Sequence, residues 1–202
     1  MKSSNLVLLG VAVLMTVSLG GCATKVTRME PEKVVDISGR WNDTDARLVA
    51  EEIIKDALAG DWVGEYNKTA GKDPVVIVGT LLNRTHEHIN TDVFVQDLER
   101  ALINSNKVKF VAAKIERDEV REEREDQQLG NTNPETITAK AMETGASFML
   151  KGTINDVKDE TKGKYVVLYQ VNVEMIDMKT NEKVWLGQKK IKKLVERPKA
   201  SL

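Results

Sequence analysis

The sequence predicts a mixed α+β fold, a single domain with a sheet of about four to five strands and helices packed on it. In the first half, two segments place their apolar residues at helical spacing, and each precedes a short apolar run typical of a buried strand. The last third contains three long strand-like segments separated by polar turns. We therefore expect the C-terminal end of the sheet to be largely antiparallel.

The chain begins with the features of a secretory signal. Lys2 is followed by an almost continuously apolar stretch over residues 6–17, and two glycines then precede Cys22. Signal peptidases require small residues before the cleavage point, and Leu19 lies three positions before Cys22, as in the lipobox of bacterial lipoproteins. We expect cleavage before Cys22, which makes residues 1–21 the signal peptide, and attachment of lipid to its thiol.

An ordinary signal peptide with an incidental cysteine is the alternative. Cys22 is the only cysteine in the sequence, so it has no partner for an intrachain disulfide, and this favours lipidation. Two or three acyl chains would anchor the protein stably. In enteric lipoproteins an aspartate after the cysteine retains the protein at the inner membrane. Ala23 stands there instead, so we expect an outer-membrane location facing the periplasm.

The mature chain divides into three parts. Residues 22–35 are polar, contain Pro31 and show no periodicity, which predicts a tether. Residues 36–197 form the predicted globular domain, and residues 198–202 form a tail. Apolar residues make up 41% of the chain, charged residues 30%, and the net charge is −1. This balance provides no field to attract nucleic acid, so we predict no nucleic-acid partner.

The sequence of the first half of the domain predicts a helix followed by a strand, and then a second helix followed by a second strand. Asp43 or Thr44 can cap the first helix, and Gly60 ends it. Residues 74–82 then form a buried strand. Asn90 or Thr91 caps the second helix, which residues 107–112 follow as a second strand. The apolar positions that define the two helices are Ala46, Val49, Ala50, Ile53, Ile54, Ala57 and Leu58, then Val93, Phe94, Leu98, Ala101 and Leu102.

The second half begins with helices and ends with strands. Residues 115–129 are dense in charge and predict a solvated helix, with a docking face as the alternative. Pro134 suits the first turn of a further helix through Glu143. Strands are predicted at residues 147–157, 164–178 and 182–193. The alternation of apolar and polar residues slips after Met175, which indicates a β-bulge.

The sequence contains no convincing catalytic, metal or cofactor site. His86 and His88 lie two apart in a loop without a second cluster of ligand-type residues, so we interpret them as solvated histidines. There is no glycine-rich phosphate loop and no Gly-x-Ser-x-Gly elbow. We therefore predict a protein that is not an enzyme. The basic run at residues 189–193 favours protection of a sheet edge, with an anionic partner surface as the alternative.

Several motifs, in order, resemble the LpoB family of lipoprotein activators of penicillin-binding proteins. They are Val-Ile-Val-Gly at 76–79, Asn83-Arg84-Thr85, Leu-Glu-Arg-Ala-Leu at 98–102, Lys-Val-Lys-Phe-Val at 107–111, Gly-Ala-Ser-Phe-Met-Leu at 145–150 and Thr-Asn-Glu-Lys-Val-Trp at 180–185. The resemblance implies a compact mixed domain without an active site or cofactor. It also implies that the protein reaches from the outer membrane to a bifunctional peptidoglycan synthase and stimulates it. For the loop from Asn83 to His88, and Asn83, Arg84 and Thr85 in particular, we expect a role in shaping the domain or contacting this partner.

One alternative within the same fold is an oligomeric assembly or secretion lipoprotein of the curli-secretion type, which forms a pore. We rank it lower because no pair of amphipathic strands is long enough for a pore wall. The predicted tether is short, since only fourteen peptide steps separate Cys22 from Asp36. It would reach about 50 Å fully extended and on the order of 20 Å on average if flexible.

Overall fold

The computed structural model describes residues 25–138 and 142–196. Residues 25–33 contain a turn in which the Lys33 N–H donates to the Glu30 carbonyl over 3.0 Å. The folded domain begins at about Val34. The predicted signal peptide, Cys22 and the C-terminal tail lie outside the described residues.

Four α-helices lie in the described part of the domain. They are α1 (Asp43–Ala59), α2 (Trp62–Ala70), α3 (Thr91–Asn104) and α4 (Lys114–Asp126). Three of these correspond to predicted helices, whereas α2 was not predicted. A π-helical turn, Gln127–Asn131, extends α4, and a 3-10 turn, Pro134–Thr136, follows it.

Helix α1 begins one residue earlier than predicted, since Asn42 rather than Asp43 or Thr44 is its cap. The Asn42 backbone is extended, and its side-chain oxygen accepts from the Asp45 N–H over 3.0 Å. Asp45 in turn accepts from the Asn42 N–H over 3.0 Å, which completes a capping box. At α3 the cap is Asn90, the first of the two predicted candidates.

Within the described residues the sheet contains five strands, β1 (Val75–Arg84), β2 (Lys109–Phe110), β3 (Phe148–Thr161), β4 (Lys164–Asp177) and β5 (Lys183–Glu196), in the order β2-β1-β3-β4-β5. Strand β1 runs parallel to both of its neighbours, whereas β3, β4 and β5 form an antiparallel meander. This confirms the mixed α+β fold. The register shifts between Met175 and Ile176 where β4 pairs with β5, which confirms the predicted bulge.

Two predicted elements are shorter than expected. The strand predicted at residues 107–112 contains only Lys109–Phe110. The helix predicted from Pro134 to Glu143 is wrong over its described part, because only the turn Pro134–Thr136 is helical. Met142 is fully exposed, so its side chain provides no buried contact that would stabilise a helix here. Residues 139–141 of that prediction lie outside the described residues.

One face of the sheet carries the core. Helix α3 packs on β1 and helix α1 on β5. Side chains alternate between the faces of a strand, so every second residue of β4 from Val167 to Met175 is buried. The residues between them lie on the opposite face, which we call the open face, and are only half-buried. The helical side chains of the core include Val49, Ile53, Phe94, Leu98 and Leu102.

Candidate partner-binding surface

The predicted loop from Asn83 to His88 begins at the end of β1 and is held by its own side chains. The Asn83 amide donates to the Glu87 carbonyl over 2.8 Å, and its oxygen accepts from the Thr85 N–H over 3.0 Å. The Thr85 hydroxyl accepts from the Glu87 N–H over 3.1 Å. Asn83 and Thr85 therefore shape the loop.

Arg84 differs from its two neighbours. In the parallel pairing of β1 with β3 it is level with Asn155, on the open face of the sheet, and its side chain is exposed. Of the three predicted partner-binding residues, Arg84 is thus the one that the fold presents at this surface.

A shallow groove crosses the open face beside Arg84 and offers a mixture of charge and apolar surface. Lys151 adds a second cation to its lining. Leu82 and Leu186 are the large apolar members, 45% and 67% exposed. Arginine is among the residue types that contribute most to binding at protein interfaces. The groove therefore suits a protein partner that presents apolar residues and a carboxylate. Its other lining residues include Thr80, Thr153, Asn172, Glu174 and Gln188.

Glu87 connects this loop to the rest of the domain. Its carboxylate accepts from the Tyr169 hydroxyl over 2.7 Å and from the Trp41 N–H over 3.1 Å. Burial, together with the nearby Glu87 carboxylate, raises the pKa of the Tyr169 hydroxyl well above its ordinary value. Glu87 therefore fixes the loop against β4 and against the segment that enters α1.

His86 is held by Asp156 of β3. The His86 ring Nδ1 lies 2.7 Å from an Asp156 carboxylate oxygen, and the His86 N–H donates to the same carboxylate. The Asp156 side chain is 4% exposed, but the histidine side chain is 85% exposed. His86 is thus solvated, as predicted, yet paired. Within the described residues, no group of three or more potential ligands is placed to hold a metal ion.

The segment before α1 is fastened to the sheet by Lys193 of β5. The Lys193 ammonium lies 2.6 Å from an oxygen of Asp36 and 2.6 Å from one of Asp45. Hydrogen bonding to Lys193 lowers the pKa of the exposed Asp36, whereas burial raises the pKa of Asp45. Burial alone would lower the pKa of Lys193, but its hydrogen bonds to the two carboxylates raise it.

The basic run at residues 189–193 is divided between the two faces of β5. Lys189 pairs with Glu52 of α1, and Lys193 pairs with the two aspartates. Lys190 and Lys192 lie on the open face, level with Gln170 and Leu168 of β4. The run therefore both fixes the helix-bearing face and adds positive charge to the open one.

Helix α4 has no buried residue, in accord with the solvated helix that its charges predict. Arg121 forms two hydrogen bonds, of 2.9 and 2.6 Å, to the carboxylate of Glu143, and Arg124 lies 3.4 Å from it. Hydrogen bonding to Arg121 lowers the pKa of Glu143. These contacts hold residue 143 beside α4.

Comparison with known protein families identifies the relationship. The model of the family described as "Peptidoglycan-synthase activator LpoB" matches residues 45–191, more than half of the chain. The chain belongs to the LpoB family. The match includes the loop from Asn83 to His88 and all five strands of the sheet up to residue 191.

Among solved structures, two LpoB domains and one further lipoprotein match the chain at low sequence identity. The LpoB C-terminal domain from Salmonella enterica is 18% identical, and the alignment covers 73% of this chain and 98% of that one with a TM-score of 0.41. The LpoB C-terminal domain from Escherichia coli is 16% identical, and the alignment covers 70% of this chain and 97% of that one with a TM-score of 0.39. Lipoprotein GNA1162 from Neisseria meningitidis is 15% identical, covering 63% of this chain and 88% of that one with a TM-score of 0.37. No curated protein sequence matches the chain. Across residues 25–138 and 142–196, no helix is both long and apolar enough to span a bilayer.

Proposed function

We propose that this protein binds a bifunctional penicillin-binding protein, a peptidoglycan synthase, and activates it from the outer membrane without being an enzyme itself. The observation that carries this proposal is the match of the LpoB family model over residues 45–191. The family is described as an activator, and the same match does not favour the alternative of a secretion pore. An activator of this kind must bind the active state of the synthase more tightly than its idle state.

We propose the groove beside Arg84 as the surface that contacts the synthase. Arg84 and Lys151 bring two cations next to Leu82 and Leu186, so the complementary surface would carry an acidic residue beside apolar ones. Asn83 and Thr85 would act indirectly, because their hydrogen bonds fix the end of β1 from which Arg84 projects.

Lipid on Cys22 is the second part of the proposal. The cleaved chain would carry its acyl groups at the new N-terminus and face the periplasm, in the position that Ala23 favours by analogy with enteric lipoproteins. Incorporation of labelled palmitate that disappears in Cys22→Ser tests the modification. Fractionation of the membranes then tests the location, and recovery of the labelled protein with the inner membrane would contradict it.

The activating role can be tested with the mature chain carrying Cys22→Ser, so that it remains free of lipid. We expect it to bind one of the organism's bifunctional synthases and to raise the rate of glycan polymerisation. If neither binding nor rate changes with any of these synthases, the proposal is wrong.

Arg84→Ala tests the surface. We expect it to weaken binding about tenfold, as truncation of an arginine at an interface hot spot does. Arg100→Ala is the matched control, because Arg100 is similarly exposed but lies on α3, on the other side of the sheet. Equal affinities for the two variants, with the fold intact, would remove Arg84 from the interface.

A further inference from the structure

Two exposed and two half-buried aliphatic side chains form a cluster on the open face, at the end of the sheet away from Leu186. Val157 is level with Leu168 across β3 and β4, and Val166 is level with Leu194 across β4 and β5. Opposite residues in adjacent strands have Cβ atoms about 5 Å apart, so the two pairs are contiguous. Val157 is 66% exposed and Leu194 is 62% exposed. We call these four residues the aliphatic patch.

The charges around the patch slightly favour an anionic surface. Lys164 and Lys192 lie on the same face at its border, and Lys190 follows along β5. Two carboxylates, those of Asp159 and Glu196, are also on this face. The border therefore carries one more positive than negative charge, and the apolar centre is the main contribution to any contact.

The N-terminal segment of the domain starts at the β5 edge of the sheet, next to the patch but held by Lys193 on the helix-bearing face. Lys193 holds Asp36 by the ion pair described above, and the next residue, Ile37, is 91% exposed. Ile37 and Leu194 border one shallow depression on the surface. The chain that leads back to Cys22 thus leaves the domain at the same end of the sheet as the patch.

This position decides which surface the patch meets. Fourteen peptide steps separate Cys22 from Asp36, which corresponds to on the order of 20 Å for a flexible chain. A lipid anchor at Cys22 would keep the patch at about that average distance from the bilayer, at an effective concentration in the millimolar range. Even if the aliphatic side chains insert only weakly, the inserted state would then be well populated, because the tethered domain is already close to the membrane.

We infer that the aliphatic patch lies against the membrane that holds the anchor, with its four side chains in the interfacial region and its lysines beside anionic lipid head groups. The inference rests on the proposed lipidation of Cys22. It adds a second contact with the membrane, made by the folded domain itself. Asn155, which is level with Arg84, lies two residues from Val157, so the Arg84 side of the groove adjoins this contact, whereas Leu186 lies away from it.

The first test measures insertion directly. The acylated mature protein is reconstituted into phosphatidylethanolamine–phosphatidylglycerol vesicles with and without brominated acyl chains, as Leu194→Trp and, for comparison, Leu186→Trp. Leu186 is on the same open face with 67% exposure, but it lies far from the patch along β5. Each signal is corrected for the native tryptophans with the unsubstituted protein. We expect quenching of the tryptophan at position 194 and little at 186. Equal quenching, or none at 194, would overturn the inference.

The second test uses the unacylated mature chain, Cys22→Ser, which floats with vesicles only through the domain and the tether. Val157→Asp together with Leu194→Asp should reduce the vesicle-bound fraction about tenfold, because membrane partitioning scales with buried apolar area. Leu186→Asp should not reduce it. Circular dichroism checks the fold, and if the double variant does not fold, the tryptophan measurement decides alone.

The outcomes separate this inference from the proposed function. Absence of label on Cys22 would remove the anchor and the inference together. A labelled protein that activates a synthase but shows no quenching at position 194 would contradict the membrane contact only. Self-association without vesicles that Val157→Asp abolishes would assign the patch to a second copy of the chain and overturn the inference. Quenching without activation would leave the membrane contact and remove the activator role.

Discussion

The contact between Tyr169 and Glu87 gives the most direct test of how the loop is held. The Tyr169 side chain is fully buried, and its hydroxyl donates to the Glu87 carboxylate over 2.7 Å. Tyr169→Phe deletes only this hydroxyl and leaves the ring, which packs edge-on against Trp41 at a centroid distance of 5.5 Å. The substitution therefore measures the hydrogen bond with little change in packing.

The magnitude follows from the charge and the exposure of the acceptor. Hydrogen bonds to charged groups contribute about 1.5–3 kcal/mol to stability. Glu87 is half-buried and keeps its second bond, from the Trp41 N–H, so solvent can replace part of what is lost. We expect Tyr169→Phe to lower the free energy of unfolding by about 1.5 kcal/mol, the lower end of that range.

Urea unfolding monitored by circular dichroism measures this loss, and Tyr165→Phe is the matched control. Tyr165 lies on the same strand and face, but its hydroxyl donates to the neutral Ser38 carbonyl in an exposed position. Its removal should cost about 0.5 kcal/mol. Both variants should keep the wild-type m-value, since neither alters the surface exposed on unfolding. A loss of stability in Tyr169→Phe no larger than that in Tyr165→Phe would refute the role of Glu87 as acceptor.

The raised pKa of Tyr169 adds a dependence on pH with a defined sign. A hydroxyl whose pKa is higher in the folded state stabilises that state fully below its unfolded pKa, about 10, and loses this stabilisation as the pH rises further. The stability difference between wild type and Tyr169→Phe should therefore be constant from neutral pH to about pH 9 and shrink above pH 10. A difference that grows with pH would contradict the assignment.

Two further substitutions test the fastening of α1 and the packing of the sheet. Lys193→Met leaves the buried Asp45 without its cation and should lower the free energy of unfolding by about 3 kcal/mol at pH 7. This loss should become smaller as the pH falls, because Asp45 then binds a proton. Lys192→Met on the open face is the control and should change stability by no more than about 0.5 kcal/mol in urea unfolding; a similar loss in both variants would refute the ion pair. Gly152→Ala would place its new carbon 2.5 Å from a Leu81 methyl group and 2.7 Å from a backbone oxygen, so we expect a loss of about 2 kcal/mol in thermal or urea unfolding. Gly64→Ala is the control, because no atom lies within 4 Å of a carbon added there. Alanine is favoured over glycine in a helix by about 0.5–1 kcal/mol, so this variant should be slightly more stable.

The fold was predictable where local pattern and burial agree. The alternation along β4 identifies its buried face because one side of the strand meets the helices, and the slip after Met175 marks the place where the register shifts. Asn42 was missed as the cap of α1 because four candidate residues occur in succession. Only the backbone conformation, extended at Asn42 and helical from Asp43, separates them.

Helix α2 could not be predicted because its stability comes from distant contacts. It has nine residues with Gly64 inside, which makes it a weak helix by propensity alone. The rings of Trp62 and Tyr66 meet Phe148 of β3 edge-on at 4.9 and 5.1 Å, and the Trp62 indole donates to the Ala57 carbonyl over 2.7 Å. Phe148 lies more than 80 residues away in the sequence, so no local pattern shows this packing.

The loop from Asn83 to His88 was predictable as a segment, whereas its contacts were not. The motif at residues 83–85 indicated the loop, but only the pairing with β3 places Arg84 on the open face. Glu87 was not singled out, since its partners Trp41 and Tyr169 lie 46 and 82 residues away. A carboxylate within a polar loop carries no sequence signal that distinguishes a structural acceptor from a solvated side chain.

The arrangement of the open face turns the short tether into a mechanistic constraint. The groove beside Arg84 and the aliphatic patch share one face, and Asn155 and Val157 of β3, which join them, are only two residues apart. A synthase bound at the groove and a membrane bound at the patch would therefore compete for the same side of the domain. Under the two proposals, binding of the synthase removes the domain from the membrane. The apparent affinity for the synthase is then the intrinsic affinity multiplied by the fraction of time that the domain is off the membrane. If Cys22 is lipidated as proposed, a tether that keeps the domain near the membrane would thus also set the affinity that a synthase must exceed to capture the protein.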